Sequence, residues 1–326
     1  MALLEIEELT VSIDTPEGPA PILEGLDITL ERGRSLGLVG ESGCGKSMTA
    51  LAIMGLLPTA ARAGGAIRLD GQDLLQLSEA ALCGLRGRRM AMIFQEPMTA
   101  LNPVTSIGQQ VAEGLRRHLG QTRAQAWEAA ASLLDRVGLP PARFPLGLYP
   151  HQLSGGQRQR VMIAAAMACS PDLLIADEPT TALDVTIQAQ VLELIADLVE
   201  SEGLALLLIT HDLGVVAEMA DQVAVMYSGR IVEAGPATAV FGRMAHPYAR
   251  GLFAAMPAAA AGTEAASARL PTIPGRVPDP RERPPGCAFA PRCALALPSC
   301  AATPPVEELP DGHWVRCFRP QGGEAA

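Results

Sequence analysis

The stretch that says most about the architecture is Gly40-Glu41-Ser42-Gly43-Cys44-Gly45-Lys46-Ser47-Met48. Residues 40–47 fit the pattern G-x-x-x-x-G-K-[ST], a glycine loop whose backbone N–H groups surround phosphate. The apolar run 35–39 before it predicts a buried strand, and residues 48–57 after it predict a helix. This order puts the partial positive charge of a helix N-terminus at the loop. The stretch therefore predicts a nucleotide site in which Lys46 binds the β- and γ-phosphates and Ser47 ligates Mg²⁺.

The composition of the chain excludes several classes of protein. The 326 residues are enough for one or two domains. Mean hydropathy is +0.21, yet no run of about 18 uncharged apolar residues predicts a transmembrane helix. The N-terminus lacks the basic region and apolar core of an export signal. The net charge of −10 argues against a nucleic-acid surface. We therefore expect a protein that is not exported and has no nucleic-acid partner.

Apolar runs alternate with helical periodicity over about the first 240 residues, which predicts a mostly parallel α/β sheet. Strands are predicted at 3–14 (one or two), 22–30, 35–39, 66–69, 89–94, 172–178 and 204–210, with a hairpin at 222–227 and 230–233. Helices are predicted at 48–57, 106–118, 122–138, 158–169, 186–200 and 246–256. The pair at 106–138 interrupts the strand-rich pattern and indicates a helical insertion.

Polar residues follow three of the buried strands. Gln95 could ligate a metal and sense the γ-phosphate, although an ordinary loop residue is the better interpretation when it is taken alone. Asp177 ends an apolar strand and is placed to bind the Mg²⁺ shell, while Glu178 can orient or deprotonate a water in line with the γ-phosphate. His211 follows the next strand and could contact the γ-phosphate; alone, a histidine is usually structural.

A pentapeptide of small and polar residues opens the helix predicted at 158–169. Its residues are Leu153, Ser154, Gly155, Gly156 and Gln157. A serine and two glycines at a helix start make a second end suited to anions. A simple N-cap is the alternative.

Together these features resemble the ATP-binding subunit of an ABC transporter. The resemblance rests on the loop 40–47, the Q-loop at Gln95, the signature 153–157, the acidic strand 173–178, the D-loop 181–184 and the switch histidine His211. It implies an ABC ATPase fold with a RecA-like core sheet, an antiparallel β subdomain and a helical insertion. It also implies a head-to-tail dimer, in which the signature contacts ATP held by the partner, and places Asp184 in the D-loop.

A narrower resemblance covers nearly the whole chain. Residues 95–103, 246–248, 270–275, 285–289 and 292–293 are similar to the ATPases of oligopeptide/dipeptide importers. This implies two transmembrane permeases, a second ATPase (a paralogue or another copy), an extracytoplasmic solute-binding protein, and a peripheral position on the cytoplasmic face of the inner membrane. Nickel importers share much of the ATPase but often lack the long cysteine tail, which favours peptides. A soluble ABC ATPase acting on DNA or ribosomes fits less well, since the chain has one cassette, a short insertion and no basic arm.

The resemblance also sets expectations for the domains and for two departures. We expect an ATPase domain at 1–242, with its helical insertion at about 97–165, and a C-terminal extension at 243–326. Family members often stack an aromatic residue on adenine, but the nearest matching position here is Ile13, which offers only apolar contact. Met48 stands where Thr is frequent, so any α-phosphate contact there comes from the backbone N–H.

Four cysteines fall in the extension, which is expected to form an irregular tail. They are Cys287, Cys293, Cys300 and Cys317. In a chain that is not exported, this clustering suggests metal before disulfides. The tight Cys-x2-Cys knuckles of zinc ribbons are absent, and the family's tail resembles a [4Fe–4S] site. We therefore expect a structural [4Fe–4S] cluster, with zinc second and unligated or disulfide-bonded cysteines as alternatives; His313 is a possible further ligand.

Overall fold

A computed structural model describes residues 1–181, 183–255 and 271–322. The chain divides into two compact units. We call Leu4–Thr29, Ser35–Leu75 and Leu208–Ala326 the loop unit, and Met1–Leu3, Leu30–Arg34 and Gln76–Leu207 the helical unit. Ala182 of the predicted D-loop, Met256 of the helix predicted at 246–256, and Leu270 of the tail motif lie outside the described residues.

The loop unit contains an antiparallel sheet built largely from the N-terminal residues. Its strands are β1 (Ala2–Thr15), β2 (Gly18–Glu31), β4 (Ala61–Leu69) and β5 (Gln72–Asp73), in the order β2-β1-β4-β5. β1 pairs with β4 from Leu4↔Leu69 to Ile13↔Ala61, with a register shift between Glu7 and Thr10. This sheet is the predicted antiparallel β subdomain. Only the end of β4 is predicted from the sequence, because the first half of this strand, Ala61 to Gly65, lacks β-branched residues.

A second group of strands in the loop unit positions the phosphate loop. β3 (Ser35–Val39) runs parallel to β9 (Gln222–Tyr227), which forms a hairpin with β10 (Arg230–Pro236). All five residues of β3 are buried, as its largely apolar sequence predicts. α1 (Lys46–Met54) follows the loop. It begins two residues earlier than predicted, and it ends at Gly55 because that glycine's left-handed backbone lets its N–H bond back to the last turn.

The C-terminal tail is more regular than expected. β12 (Trp314–Arg316) pairs antiparallel with β10, and β11 (Val306–Glu308) pairs with β12, so the order in this unit is β11-β12-β10-β9-β3. Val315 is fully buried. The expected irregular tail thus contains two three-residue strands. A three-residue strand gives almost no periodicity in sequence, and its stability comes from pairing with β10.

The helical unit contains the parallel strands β6 (Met90–Ile93) and β7 (Leu173–Asp177), paired from Met90↔Leu173 to Ile93↔Ala176. β8 (Ala205–Thr210) begins in this unit and ends in the loop unit. The helices of the helical unit are α2 (Glu79–Leu85), α3 (Pro97–Ala100), α4 (Ile107–Leu119), α5 (Arg123–Arg136), α6 (Gly155–Met167) and α7 (Val185–Glu202). Ser106 and Thr122 cap α4 and α5 through capping boxes with Gln109 and Gln125.

The loop unit also holds α8 (Leu213–Met219), α9 (Ala237–Arg243) and α10 (Pro247–Ala254). Parallel and antiparallel strands with interleaved helices confirm the predicted α/β class. Within residues 1–181, 183–255 and 271–322, no helix combines the length and apolarity needed to cross a membrane.

Candidate active site

The glycines of the phosphate loop are required by close packing and backbone geometry. A Cβ at Gly40 would lie 2.2 Å from the backbone oxygen of Met226, and one at Gly45 would lie 2.6 Å from a methyl of Leu23. Gly43 has open space around it but a φ of 80°, which L-residues rarely adopt. The loop therefore keeps its backbone close against neighbouring strands, where a side chain would hold it away.

Lys46 lies inside the loop, and its side chain is fixed by the loop's own carbonyls. The residue is 5% exposed, and its ammonium donates to the oxygen of Gly40 at 2.8 Å and of Glu41 at 3.2 Å. Cys44 is 1% exposed, and burial raises the pKa of its thiol. Ser47 and Met48 form the first turn of α1. A cation and a helix N-terminus thus meet in the loop, which is the arrangement that binds phosphate.

In the helical unit, the structure brings the predicted glutamine and glutamate together. Gln95 Nε2 donates to Glu178 Oε2 at 3.1 Å, and Thr181 Oγ1 donates to the same oxygen at 2.9 Å. Asp177 ends β7 and is 4% exposed. Glu178 has a left-handed φ of 45°, a conformation that occurs at functional sites in spite of its energy cost. Its carboxylate is therefore oriented by two donors, of which Thr181 was not predicted.

His211 directly follows β8, as predicted, and is exposed. The next residue, Asp212, caps α8 by accepting the N–H groups of Gly214 and Val215. Thr210, the residue before His211, accepts the N–H of Asp212 at 3.0 Å. The histidine thus stands at a turn whose backbone is fixed on both sides.

The pentapeptide 153–157 forms the start of α6, earlier than the predicted helix start at 158. Ser154 caps the helix, because its Oγ accepts the Gln157 N–H at 3.4 Å while Gln157 Oε1 accepts the Ser154 N–H at 2.9 Å. Gly156 packs closely, since a Cβ there would lie 2.6 Å from Ile187 of α7. Asp184 caps α7 by accepting the Ile187 N–H at 3.0 Å. The signature and the D-loop therefore meet where α6 and α7 begin.

The four tail cysteines lie among the described residues as free thiols. Burial raises the pKa of Cys287, Cys293 and Cys317, and neighbouring cysteines add to the rise. Backbone N–H groups donate to the sulfurs of Cys293, Cys300 and Cys317 at 3.3–3.4 Å. Even so, no set of three or more His, Cys, Asp or Glu side chains in the described part of the chain is arranged to hold a metal ion. The described residues therefore show no preformed metal site at these cysteines.

His313, considered above as a possible metal ligand, contacts a glutamate instead. Its Nε2 lies 2.7 Å from Glu233 Oε1, and both residues are almost completely buried. Glu233 also accepts the backbone N–H groups of Ala245 and His246. This pair joins β10 to the tail, and the contact gives His313 a structural role in place of metal ligation.

Two family models match the chain. The model described as ABC transporter matches residues 23–181, and the one described as oligopeptide/dipeptide transporter, C-terminal region, matches residues 232–300. The oligopeptide transport ATP-binding protein OppD of Salmonella typhimurium LT2 is 48% identical over 318 residues, 98% of this chain and 94% of that protein. The chain belongs to the family of ABC transporter ATP-binding proteins. As a member of this family it is an ATPase.

Other relatives of this ABC ATPase agree. OppD of Escherichia coli K12 is 47% identical over 98% of this chain and 94% of its own. A putative peptide import ATP-binding protein of Brucella abortus strain 2308 is 50% identical over 97% of each chain. Among solved structures, the dimeric post-hydrolysis state of the ATP-binding cassette MJ0796 bound to ADP and Pi has a TM-score of 0.64 at 25% identity, covering 72% of this chain and 98% of that one. CbiO1 from Clostridium perfringens has a TM-score of 0.61 at 27% identity, covering 74% of this chain and 90% of that one. The predicted fold and family are thereby confirmed.

Proposed function

We propose that this chain hydrolyses MgATP to power the import of di- or oligopeptides through an ABC transporter. The observation that carries the proposal is the Glu178 carboxylate, oriented by Gln95 and Thr181 directly after the buried Asp177. An oriented carboxylate at that position suits activation of a water. The peptide as cargo is supported by the C-terminal region model and by the names of the relatives.

The roles of the residues follow from their chemistry. Lys46 binds the β- and γ-phosphates, and residues 40–48 supply N–H donors to the phosphates. Ser47, Gln95 and Asp177 hold Mg²⁺, Glu178 is the general base, and His211 senses the γ-phosphate. Residues 153–157 contact ATP bound to a partner ATPase, with Asp184 beside them in the D-loop. Mg²⁺ supplies charge neutralisation on the phosphate oxygens when it is bound.

The partners and location are part of the same proposal. The chain pairs with a second, paralogous ATPase beneath two transmembrane permeases, and an extracytoplasmic binding protein delivers peptide. The dimeric solved relative, described with ADP and Pi, supports the pairing. The location is the cytoplasmic face of the inner membrane. We propose an ATPase domain at 1–242, with a helical insertion at about 97–165, and an extension at 243–326. The matches over residues 23–181 and 232–300 support an ATPase part followed by an extension.

We further infer that the tail cysteines bind a [4Fe–4S] cluster, with zinc as the alternative. Support comes from their spacing, their mutual proximity and the N–H groups aimed at three of the sulfurs. The test is anaerobic purification with iron, sulfide and zinc analysis of the wild type and of Cys293→Ser. Iron and sulfide lost in the variant would support the cluster, stoichiometric zinc would select the alternative, and absence of both metals from the wild type would overturn the inference.

The transport function is tested by purifying the tagged chain from its native membranes in mild detergent and identifying what accompanies it. We expect two polytopic permeases, a second ATPase and a solute-binding protein that carries peptide. A binding protein that carries nickel would overturn the cargo and leave the ATPase role intact. Recovery of only ribosomal or DNA-repair proteins would overturn the transporter role.

A further inference from the structure

A buried arginine of the C-terminal extension contacts the phosphate loop within the loop unit. The Arg292 side chain is 5% exposed, and it forms two hydrogen bonds with the carboxylate of Glu41, the second residue of the loop motif. Nη1 lies 2.6 Å from Oε2, and Nη2 lies 2.9 Å from Oε1. A bidentate pair of this kind fixes orientation as well as distance. The tail therefore holds one side chain of the loop in a defined position.

Arg292 is also held by contacts other than the one with Glu41. Its Nε donates to the oxygen of Pro274 at 2.8 Å, and Nη1 lies 3.4 Å from the hydroxyl of Tyr227. The guanidinium carbon lies 5.8 Å from the ring centre of Tyr227 and 6.0 Å from that of Phe289, close enough for cation–π attraction. Because these contacts use the edge and the face of the guanidinium, its plane is set independently of the loop.

The extension also holds the backbone of Glu41. The Glu41 N–H donates to the hydroxyl of Tyr248 at 2.7 Å, and Tyr248 is fully buried. The rings of Tyr227 and Tyr248 lie 4.7 Å apart, and they lie 5.2 Å and 5.3 Å from the ring of Phe289. The N–H of Glu41 is thus bound to this aromatic cluster, and its side chain is bound to Arg292, which packs against rings of the same cluster.

Glu41 is also in direct contact with Lys46, the lysine of the phosphate loop. The carbonyl of Glu41 and that of its neighbour Gly40 accept the ammonium of Lys46. The orientation of the Gly40–Glu41 peptides therefore sets where the cation lies. Since the extension fixes Glu41, it also fixes the two carbonyls on which the position of Lys46 depends.

A second arginine of the extension supports the opposite end of the loop. Arg283 donates from Nε to the Ser228 hydroxyl at 3.0 Å and from Nη2 to the oxygen of Ile22 at 2.9 Å. The next residue in the hairpin turn, Gly229, donates its N–H to the oxygen of Cys44 at 2.8 Å. The loop is thus supported near both ends by residues of, or residues held by, the extension.

We propose that Arg292 is a positioning residue for nucleotide binding, which holds the phosphate loop in its binding conformation through Glu41. The inference rests on ATP binding at this loop, as proposed above. Arg292 touches no phosphate in this account, and its effect passes through the loop backbone to Lys46. The extension, which ABC cassettes need not carry, here completes the support of the ATP site.

The test is a double-mutant cycle of Arg292→Gln and Glu41→Gln, with MgATP affinity measured by a fluorescent ATP analogue and kcat and KM measured on the assembled complex. Loss of this charge-assisted pair is expected to raise the Kd for MgATP by about tenfold. In Arg292→Gln, kcat is expected to fall less than the affinity does. The double variant is expected to bind no more weakly than either single variant, because both remove the same contact. Arg292→Lys keeps the charge but loses the bidentate geometry, so its Kd is expected to lie in between.

Arg276→Ala is the matched control, since Arg276 is an exposed arginine of the same tail; its Kd is expected to equal that of the wild type. A purely stabilising role would lower the melting temperature and the active fraction while leaving the Kd of the folded protein unchanged. That result, or additive effects in the double variant, would overturn the inference. If the wild type itself bound no MgATP, the proposed function would fail instead, and the two failures are thereby distinguished.

Discussion

Replacing Glu178 by Gln is the sharpest perturbation of the proposed chemistry, because it removes a charge with little change of shape. In the structure, Gln95 and Thr181 both donate to Oε2 of Glu178, at 3.1 Å and 2.9 Å. The amide oxygen of a glutamine can accept both hydrogen bonds, so the local arrangement is expected to persist. What the variant loses is a carboxylate able to take a proton from water.

The expected magnitude follows from that loss. A positioned general base contributes about 10²- to 10⁴-fold to a rate, which corresponds to roughly 2.7–5.4 kcal/mol of transition-state stabilisation. ATP binding depends on the phosphate loop and is expected to stay within about threefold, well under 1 kcal/mol. The variant should therefore separate hydrolysis from binding.

The assay compares phosphate release and MgATP affinity for the wild type and Glu178→Gln, both in the assembled complex. Thr181→Val is the matched variant, because it removes one orienting donor and keeps the carboxylate; a smaller loss of kcat is expected. Turnover of Glu178→Gln equal to that of the wild type would refute the assignment of the base. A parallel loss of ATP affinity would mean that the residue acts in binding.

Two further changes test packing and charge. Gly156→Ala is expected to destabilise the fold by about 1–3 kcal/mol through overpacking, because a Cβ there would lie 2.6 Å from Ile187. Gly155→Ala is the control, since its Cβ would lie 3.7 Å from the nearest side-chain atom. Equal urea midpoints for the two variants would contradict the predicted overpacking. Burial lowers the pKa of His246 to about 3 from 6.5, so the stability it contributes is present above pH 6.5 and lost as the pH falls towards 3. His246→Asn keeps a side-chain acceptor for the Tyr248 N–H, and at pH 5 the wild type is expected to lose about 2 kcal/mol relative to this variant; identical pH dependence of the two unfolding free energies would contradict it.

Sequence patterns predicted the parts of the molecule that local chemistry specifies. The run 35–39 is apolar after Ser35 and forms β3 with the predicted bounds, since a buried parallel strand needs no polar face. Ser35 is buried too, and its hydroxyl donates to Asp221 Oδ2 at 2.9 Å. Ser106, Thr122 and Ser154 start helices because their hydroxyls accept N–H groups of the first turn. α2 and α3 were missed because they have only seven and four residues, too few for a helical period to appear in the sequence.

The residues that escaped prediction act through contacts distant in sequence. Arg292 and Glu41 are 251 positions apart, and no local pattern relates them. The strands of the tail also depend on contacts distant in sequence, because β12 is stabilised by its pairing with β10. Thr181 lay within the recognised D-loop, but its hydrogen bond to Glu178 depends on the turn after β7. Motifs thus identified the site, while the groups that orient it required the fold.

The most direct test of the account is ATP hydrolysis by the assembled transporter reconstituted in liposomes, with and without its binding protein loaded with peptide. We expect that peptide-loaded binding protein stimulates hydrolysis, that peptide accumulates on the far side of the membrane, and that Glu178→Gln abolishes most of both. Hydrolysis that is unaffected by the loaded binding protein, with no peptide accumulation, would contradict the claim that this ATPase powers peptide import.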